Sequence, residues 1–328
     1  MRVLTAWTVA FAVMAGAAMT AQGIDAARVL AEARQALGGD AALSAVVSFT
    51  VSGSRKLNVG PTVLESSLQL VCELPDKFVR TSTNSGPFPI THRYGFNGDE
   101  PIRQSEPDMP LPPELAASQK PQSPAERAAA RGKQAAGEKQ AFMRLALALF
   151  AQSSGAYPLE FAYGGQAELK GGMAHVLEGK APDGFSLRLF VDERTRLPVM
   201  VSWQAPPIVM FAATTTMTTT TTVVVPGGGR MPPAAPPPLP PSPPPSTRQT
   251  KAPPGGIMLT GPPPPGDPTA GLPLVEHQLV FADYRTADGL TWPHRLTEYV
   301  AGEIVEDIRL GKFTINPKIN PKTFKVPQ

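Results

Sequence analysis

Residues 281–296, FADYRTADGLTWPHRL, decide the fold, because they read as two strands joined by a two-residue turn. Asp288-Gly289 lies between runs that carry aromatic residues on both sides. An Asp-Gly pair suits the tight turn of a β-hairpin, which needs a positive φ at both central residues. The stretch therefore predicts an antiparallel hairpin near the C-terminus, shortly after a long proline-rich tract.

Upstream segments predict more strands of the same kind. Residues 46–80 contain three strand-like runs, which are broken at Gly60-Pro61 and Pro75-Asp76. In GFSLRLFVDERTRLPVMVSWQ, apolar Leu187, Leu189 and Val191 alternate with their neighbours, and residues 192–198 form a polar turn. Asn97-Gly98 predicts a further hairpin turn. This pattern indicates an antiparallel sheet with one apolar face.

Two segments predict helices. IDAARVLAEARQALGGD, residues 24–40, offers Asp25 as an N-cap and Gly38-Gly39 as a stop. SPAERAAARGKQAAGEKQAFMRLALALF, residues 123–150, is rich in helix-forming residues and carries one apolar stripe: Phe142, Leu145, Ala146 and Leu149. This stripe either covers the sheet or forms one wall of a ligand cavity.

Residues 204–274 interrupt the strand pattern. They hold a threonine run, three consecutive glycines and clusters such as PPAAPPPLPPSPPP. Such a composition neither buries a core nor pairs as an interior strand, so we expect a disordered insertion. Strand signals flank it on both sides. The prediction is therefore one domain in two parts, 24–203 and 275–328, with the insertion between them.

The N-terminus and the cysteine usage indicate the compartment. Residues 1–23 have one positive charge, a short apolar run and small residues at 21–23, which predicts a signal peptide cleaved near 21–23 and a periplasmic location. The chain has one cysteine, Cys72, which excludes an internal disulfide framework and a zinc cluster built on cysteines. Cys72 lies in an apolar run and is expected to be a buried thiol.

The distribution of charged and catalytic residue types favours a binding protein. The formal net charge is only +3 and no basic stripe is visible, which argues against nucleic acid as a partner. No catalytic motif is found, and the four histidines have no partner at metal-ligand spacing, so we expect no enzyme, metal or cofactor. A sheet that curls around helices can leave an apolar cavity, and such a cavity holds an acyl chain at about 0.8 kcal/mol per buried CH₂. The predicted cavity residues are Phe142, Leu145, Leu149, Trp203 and Trp292.

The C-terminal segment resembles the outer-membrane lipoprotein carrier (LolA-type) superfamily. The resemblance lies in an Asp-Tyr-Arg strand at 283–285, an Asp-Gly-Leu turn at 288–290, and a closing Asn316, Phe324 and Pro327. VDERTRLPV, residues 191–199, is similar to another hairpin of that family, and ARVLAEARQALGG to its first helix. The resemblance implies an α+β fold: a curved, incompletely closed antiparallel β-barrel with covering helices around an apolar cavity. It also implies members that escort lipoproteins or bind other lipids.

Two functions follow as expectations. The first is a periplasmic carrier that holds an acyl chain, a lipid or a lipidated protein, with the insertion available to contact an outer-membrane or envelope protein. The alternative is a structural or interaction protein of the envelope. There, the N-terminal apolar segment would be a retained anchor, the proline-rich tract a spacer, and residues 275–328 a docking module.

Overall fold

A computed structural model of the chain describes residues 25–60, 62–86, 89–107, 123–212, 256–260, 269 and 271–326. Its α-helices are α1 (Ala26–Ala36), α2 (Asp40–Ser44) and α3 (Pro124–Phe150), and a 3-10 helix covers Pro321–Phe324. The strands, in chain order, are β1 (Ser48–Val59), β2 (Thr62–Glu73), β3 (Lys77–Asn84), β4 (Thr91–Asn97), β5 (Glu100–Glu106), β6 (Glu160–Leu169), β7 (Gly172–Lys180), β8 (Ser186–Asp192), β9 (Pro198–Ala205), β10 (Ile208–Ala212), β11 (Gly256–Thr260), β12 (Val275–Ala287), β13 (Leu290–Val300) and β14 (Glu303–Ile315).

Twelve of these strands form one sheet in the order β5-β4-β3-β2-β1-β14-β13-β12-β9-β8-β7-β6. Each neighbouring pair is antiparallel, and the first strand, β1, pairs with the last, β14. Within the described residues β5 and β6 are the two edges of this sheet and do not pair with each other. The predicted antiparallel, incompletely closed sheet with covering helices is confirmed.

The sheet wraps around α3, and two neighbouring side chains of that helix show how strongly. The Phe142 ring lies 4.8 Å from the ring of Phe78 in β3, measured between centroids. The guanidinium of Arg144 lies 4.3 Å from the ring centre of Trp203 in β9. Strands β3 and β9 are six places apart in the sheet order, about 29 Å if the sheet were flat. Residues 142 and 144 differ by only about 3 Å along the helix axis, so the sheet must be curved.

The hairpin that decides the fold forms as predicted. Ala287 pairs with Leu290, and the two residues between them, Asp288 and Gly289, have φ values of 53° and 78°. The predicted Asn97-Gly98 turn is wrong by one residue. Asn97 pairs with Glu100, so the two turn residues are Gly98 and Asp99. Gly98 has a positive φ of 60°.

Both predicted helices form. Asp25 caps α1 by accepting a 2.7 Å hydrogen bond from the backbone N–H of Arg28. Ser123 and Glu126 make a reciprocal capping box at the start of α3. The long helix joins the two edge strands β5 and β6 along the chain, and it packs against β4, β5, β9 and β13. It therefore crosses the inner, concave face of the sheet.

The predicted insertion is described only in part, at 204–212, 256–260, 269 and 271–274. Gln204 and Ala205 belong to β9, and Ala205 pairs directly with Val275, the first residue of β12. β10 and β11 pair in parallel as a separate two-stranded unit. The predicted signal peptide, residues 1–23, lies outside the described residues. In the described part of the chain, no helix has the length and apolar character needed to span a membrane.

Candidate functional site

The five predicted cavity residues lie in one core between the helices and the inner face of the sheet. Phe142, Leu145, Leu149, Trp203 and Trp292 all belong to this core, and each is buried. The structure thus brings them together. Their side chains are packed against neighbouring residues, so the space beside the α3 stripe is filled in this structure. Their role as a ligand-binding wall stays a prediction.

Aromatic rings make up much of this packing. Phe142 contacts Phe78 and also Phe96, whose ring centroid lies 5.8 Å away. Further along α3, Phe150 and Trp292 are 6.2 Å apart, edge to face, and Phe49 lies 6.0 Å from Trp292. The Nε1 atom of Trp292 is buried, and it has no hydrogen-bond partner among the described residues. The inner face under the C-terminal half of α3 is therefore strongly apolar.

Trp203 marks the point where the apolar core meets polar groups. Its ring stacks on His277 at 5.3 Å, and Arg144 of α3 lies over it. His277 donates from Nε2 to the Pro206 carbonyl at 3.0 Å, and its Nδ1 lies 3.6 Å from a carboxylate oxygen of Glu298. Burial lowers the pKa of Arg144 to about 10, while the nearby Glu298 acts in the opposite direction.

Trp203 also reaches a pocket at the ends of β7, β8 and β9. This pocket has a volume of about 250 Å³. Charged and polar residues dominate its lining: Glu178, Lys180, Ser186, Arg188, Ser202 and Gln204, with Gly179, Leu187 and Trp203. The charged side chains in its lining distinguish it from the apolar cavity that the sequence predicts.

A row of polar residues follows the same inner face beside α3. Cross-strand partners share a face of a sheet. Arg103 of β5 pairs with Tyr94, Tyr94 with Arg80, and Arg80 with Leu70, whose side chain belongs to the apolar core. The guanidinium of Arg103 lies 5.6 Å from the ring centre of Tyr94. Arg80 and Arg103, with Tyr94 between them, therefore form an arginine row that continues the surface of the core across β3, β4 and β5.

Two further groups extend this polar region toward β1 and β14. Arg55 pairs across the sheet with Ile308, another core residue, and forms an ion pair with the buried Glu306. His92 of β4 has its pKa lowered, mainly by burial and further by Arg55 and Arg103. Arg55 is thus paired with a carboxylate, whereas burial, with a smaller effect of the nearby arginines, favours the uncharged form of His92.

Glu138 is the acidic group that α3 brings to the arginine row. Burial raises the pKa of its carboxyl, and Arg80, Arg103 and Arg144 oppose that rise. All three guanidinium groups therefore lie close enough to Glu138 to interact with it. Sequence reasoning missed this cluster, although Phe78 and Arg80 share the period-two phase of β3, as Pro101 and Arg103 do in β5.

Cys72 is buried, as predicted, and burial raises the pKa of its thiol. Among the residues that the structure describes, no three histidine, cysteine, aspartate or glutamate side chains are grouped so that they could hold a metal ion.

Comparisons with known proteins find similarity in solved structures. No protein-family model and no curated protein sequence matches the chain. A crystal structure of a DUF1329 family protein from Desulfovibrio piger has a TM-score of 0.41 and 9% identity over 90% of this chain and 95% of its own. A LolA superfamily protein from Nitrosomonas europaea has a TM-score of 0.41 and 11% identity over 92% of this chain and 98% of its own.

A third solved structure, an outer membrane lipoprotein-sorting protein domain from Vibrio parahaemolyticus, has a TM-score of 0.38 and 10% identity. The similarity covers 90% of this chain and 94% of that domain. The fold described above rests on the strand pairing of this chain itself.

Proposed function

We propose that the chain is a periplasmic carrier that binds an amphiphile, either a lipid or the lipid-modified end of a protein, with its acyl chain between α3 and the curved sheet. The observation that supports this most directly is the position of α3. It crosses the inner face of an open sheet and presents Phe142, Leu145 and Leu149 to that face. An acyl chain has the right chemistry to replace these contacts.

The magnitudes permit this exchange. Exposing three large apolar side chains costs about 5–9 kcal/mol at roughly 1.5–3 kcal/mol each. A sixteen-carbon chain gains about 12 kcal/mol on burial at about 0.8 kcal/mol per CH₂. A ligand of that length can therefore displace the stripe of α3 from the sheet and still bind with favourable free energy.

The way α3 is attached also supports a movable cover. Its first ten residues are exposed, and ion pairs of Arg131 with Glu100 and of Lys139 with Asp99 connect it to the β4–β5 hairpin. Surface ion pairs of this kind contribute only about 0–1 kcal/mol each. The apolar stripe is therefore the main attachment, and it is the part that a ligand would replace.

The proposal includes a periplasmic location and a binding role without catalytic activity. We assign residues 1–23 as a signal peptide and 24–203 and 275–328 as the two parts of the carrier domain, to which Gln204 and Ala205 of β9 also belong. Residues 206–274 are then an insertion that contacts an envelope protein. The rival role, with residues 275–328 as a docking module on a spacer, requires these strands to form a unit of their own. In the structure, β12, β13 and β14 lie between β9 and β1 of the one sheet.

Native mass spectrometry of the protein after mild extraction from envelopes tests the proposal. We expect co-purified lipid in the unmodified chain, and its loss in a Leu145→Glu variant that places a charge in the buried stripe. Val63→Glu is the matched control, because Val63 is 53% exposed. An unliganded mass, together with no uptake of a fluorescent sixteen-carbon fatty acid by the unmodified folded protein, would contradict it.

A further inference from the structure

Three arginines on the inner face have no ion-pair partner within the described residues. Arg80 and Arg103 project from β3 and β5, and Arg144 from α3. Arg80 and Arg144 are half-buried, and Arg103 is exposed. None of the three guanidinium groups makes a hydrogen bond or a salt bridge with another described residue, in contrast to those of Arg55, Arg93 and Arg295. The contacts of Arg144 and Arg103 are with the rings of Trp203 and Tyr94.

An unpaired, half-buried cation is costly for a fold that gains nothing from it. Removing a charged group from water is unfavourable unless a partner compensates for the lost hydration. Elsewhere on the inner face, this chain supplies such a partner, since Arg55 is paired with Glu306. At Arg80, Arg103 and Arg144, it supplies one shared carboxylate, Glu138, whose pKa burial raises, and Glu298 acts on Arg144 alone. Positive charge is in excess here.

We infer that Arg80, Arg103 and Arg144 form a subsite for a phosphate group, carried by the amphiphile whose acyl chain binds under α3. Guanidinium groups present paired N–H donors that match phosphate oxygens, and three of them in one region of the inner face suit a multiply charged tetrahedral anion. The site is continuous with the apolar core, because Arg80 pairs with Leu70 and Arg144 lies on Trp203. This inference rests on the proposed function, since it names the headgroup of the same ligand.

The arrangement also assigns a role to Glu138. In the unliganded chain, its carboxylate partly neutralises the three arginines. A bound phosphate takes over that role and repels the carboxylate, so ligand binding displaces Glu138 or protonates it. Removing the negative charge of Glu138 should therefore strengthen binding of an anionic headgroup, whereas removing an arginine should weaken it. A purely structural cluster predicts no such opposite effects on a ligand.

Isothermal titration of the folded, delipidated chain with three probes tests the inference: dodecyl phosphate, the uncharged dodecyl maltoside, and inorganic phosphate. We expect dodecyl phosphate to bind at least about tenfold more tightly than dodecyl maltoside, since hydrogen bonds to charged groups are the strong ones. Arg80→Gln and Arg144→Gln should each weaken dodecyl phosphate binding about tenfold and leave dodecyl maltoside unchanged. Glu138→Gln should strengthen dodecyl phosphate binding about threefold.

Arg295→Gln is the matched control, because it removes one positive charge from a side chain that pairs with Asp307. Equal affinity of the two dodecyl probes, or arginine variants that bind dodecyl phosphate like the unmodified chain, would overturn the phosphate subsite while leaving amphiphile binding in place. Inorganic phosphate that binds as tightly as dodecyl phosphate would support the anion site and contradict the acyl part. Failure of all three probes to bind would overturn both.

Discussion

The guanidinium of Arg34 in α1 donates a 2.9 Å hydrogen bond to the backbone carbonyl of Phe150, the last residue of α3. The same group donates to the side-chain oxygen of Gln152 at 2.8 Å, and it also pairs with Asp40. A cation at the C-terminus of a helix satisfies an orphan carbonyl and complements the helix dipole. Arg34 therefore fixes the end of α3 that lies over the apolar core.

We expect Arg34→Ala to lower the free energy of unfolding by about 1–3 kcal/mol, because it leaves a part-buried carbonyl without its charged donor. Urea denaturation at neutral pH measures this. Arg28→Ala is the control on the same helix, since Arg28 makes only an exposed pair with Glu32, worth about 0–1 kcal/mol. Equal effects of the two substitutions would show that Arg34 does not hold α3.

Asn316 should be the most sensitive polar residue near the C-terminus. Its side-chain oxygen accepts hydrogen bonds from the backbone N–H groups of Val47 and Ser48 at 2.8 and 3.1 Å, and its amide donates to the Ala45 carbonyl at 2.8 Å. Its φ of 51° is left-handed, which asparagine tolerates better than alanine.

Asn316→Ala should therefore destabilise the fold by about 2–4 kcal/mol, since several backbone groups lose their partners. Asn320→Ala, which removes one exposed hydrogen bond to the Lys322 N–H, provides the comparison and should cost about 1 kcal/mol or less. Thermal unfolding followed by circular dichroism distinguishes the two. A shift for Asn316→Ala no larger than that for Asn320→Ala would show that the hydrogen bonds of Asn316 to residues 45–48 do not stabilise the fold.

Two glutamates of α3 should show opposite pH dependence. Burial raises the pKa of Glu138, so between the ordinary glutamate pKa and this raised value the folded form binds a proton that the unfolded chain has released. Stability then falls as pH rises from the ordinary glutamate range through the raised folded value. Glu138→Gln removes this loss of stability with rising pH. We therefore expect the variant to be more stable than the unmodified chain at pH 7, by a larger margin than at pH 4.

Glu126 behaves in the other sense, because hydrogen bonds from Ser123 lower its pKa. The contribution of Glu126 to the free energy of unfolding is present at pH values above the ordinary pKa of glutamate. It is lost as the pH falls through the lowered folded pKa. Glu126→Gln should therefore lose stability at pH 7 and little at pH 3. Urea unfolding of both variants across pH 3 to 8 checks the signs. The same pH trend in both variants would refute the assignment for Glu138.

We expect that the insertion between β9 and β12 can be deleted without loss of the fold. Ala205 and Val275 are paired neighbours, so a two-residue Asn-Gly turn can join them in place of residues 206–274. We expect an equal or slightly higher melting temperature, because loop-closure entropy rises with loop length by about 0.6 kcal/mol per doubling. The variant loses the bond from His277 to Pro206. A large drop in melting temperature would instead mean that the β10–β11 pair stabilises the domain.

Patterns of residues close in sequence were enough to predict individual strands, turns and helices. The features that the sequence did not predict depend on contacts between residues far apart in the chain. The turn at Asp288-Gly289, the cap at Asp25 and the stripe from Phe142 to Leu149 each depend on residues close in sequence. The pairing of β1 with β14 joins residues more than 240 positions apart, such as Leu57 with Glu306, and no local pattern encodes it.

The arginine cluster was missed for a related reason. A charged side chain in a strand is usually on the exposed face, so the residue types of Arg80 and Arg103 give no signal of an inner-face site. The pairing through Tyr94 to Leu70 places them on the concave side. Arg144 lies within a run of buried apolar residues of α3, and its position over Trp203 depends on the curvature of the sheet.

The pairing of β1 with β14 has a consequence for how the molecule is made. During synthesis the first strand leaves the ribosome long before its neighbour exists, and the middle of the sheet stays open until the last residues have been translated. Contacts between distant parts of a chain form slowly, because a large loop must close first. The chain therefore remains without its central strand pair until β14 has been made, and its apolar strands stay exposed to aggregation during that time.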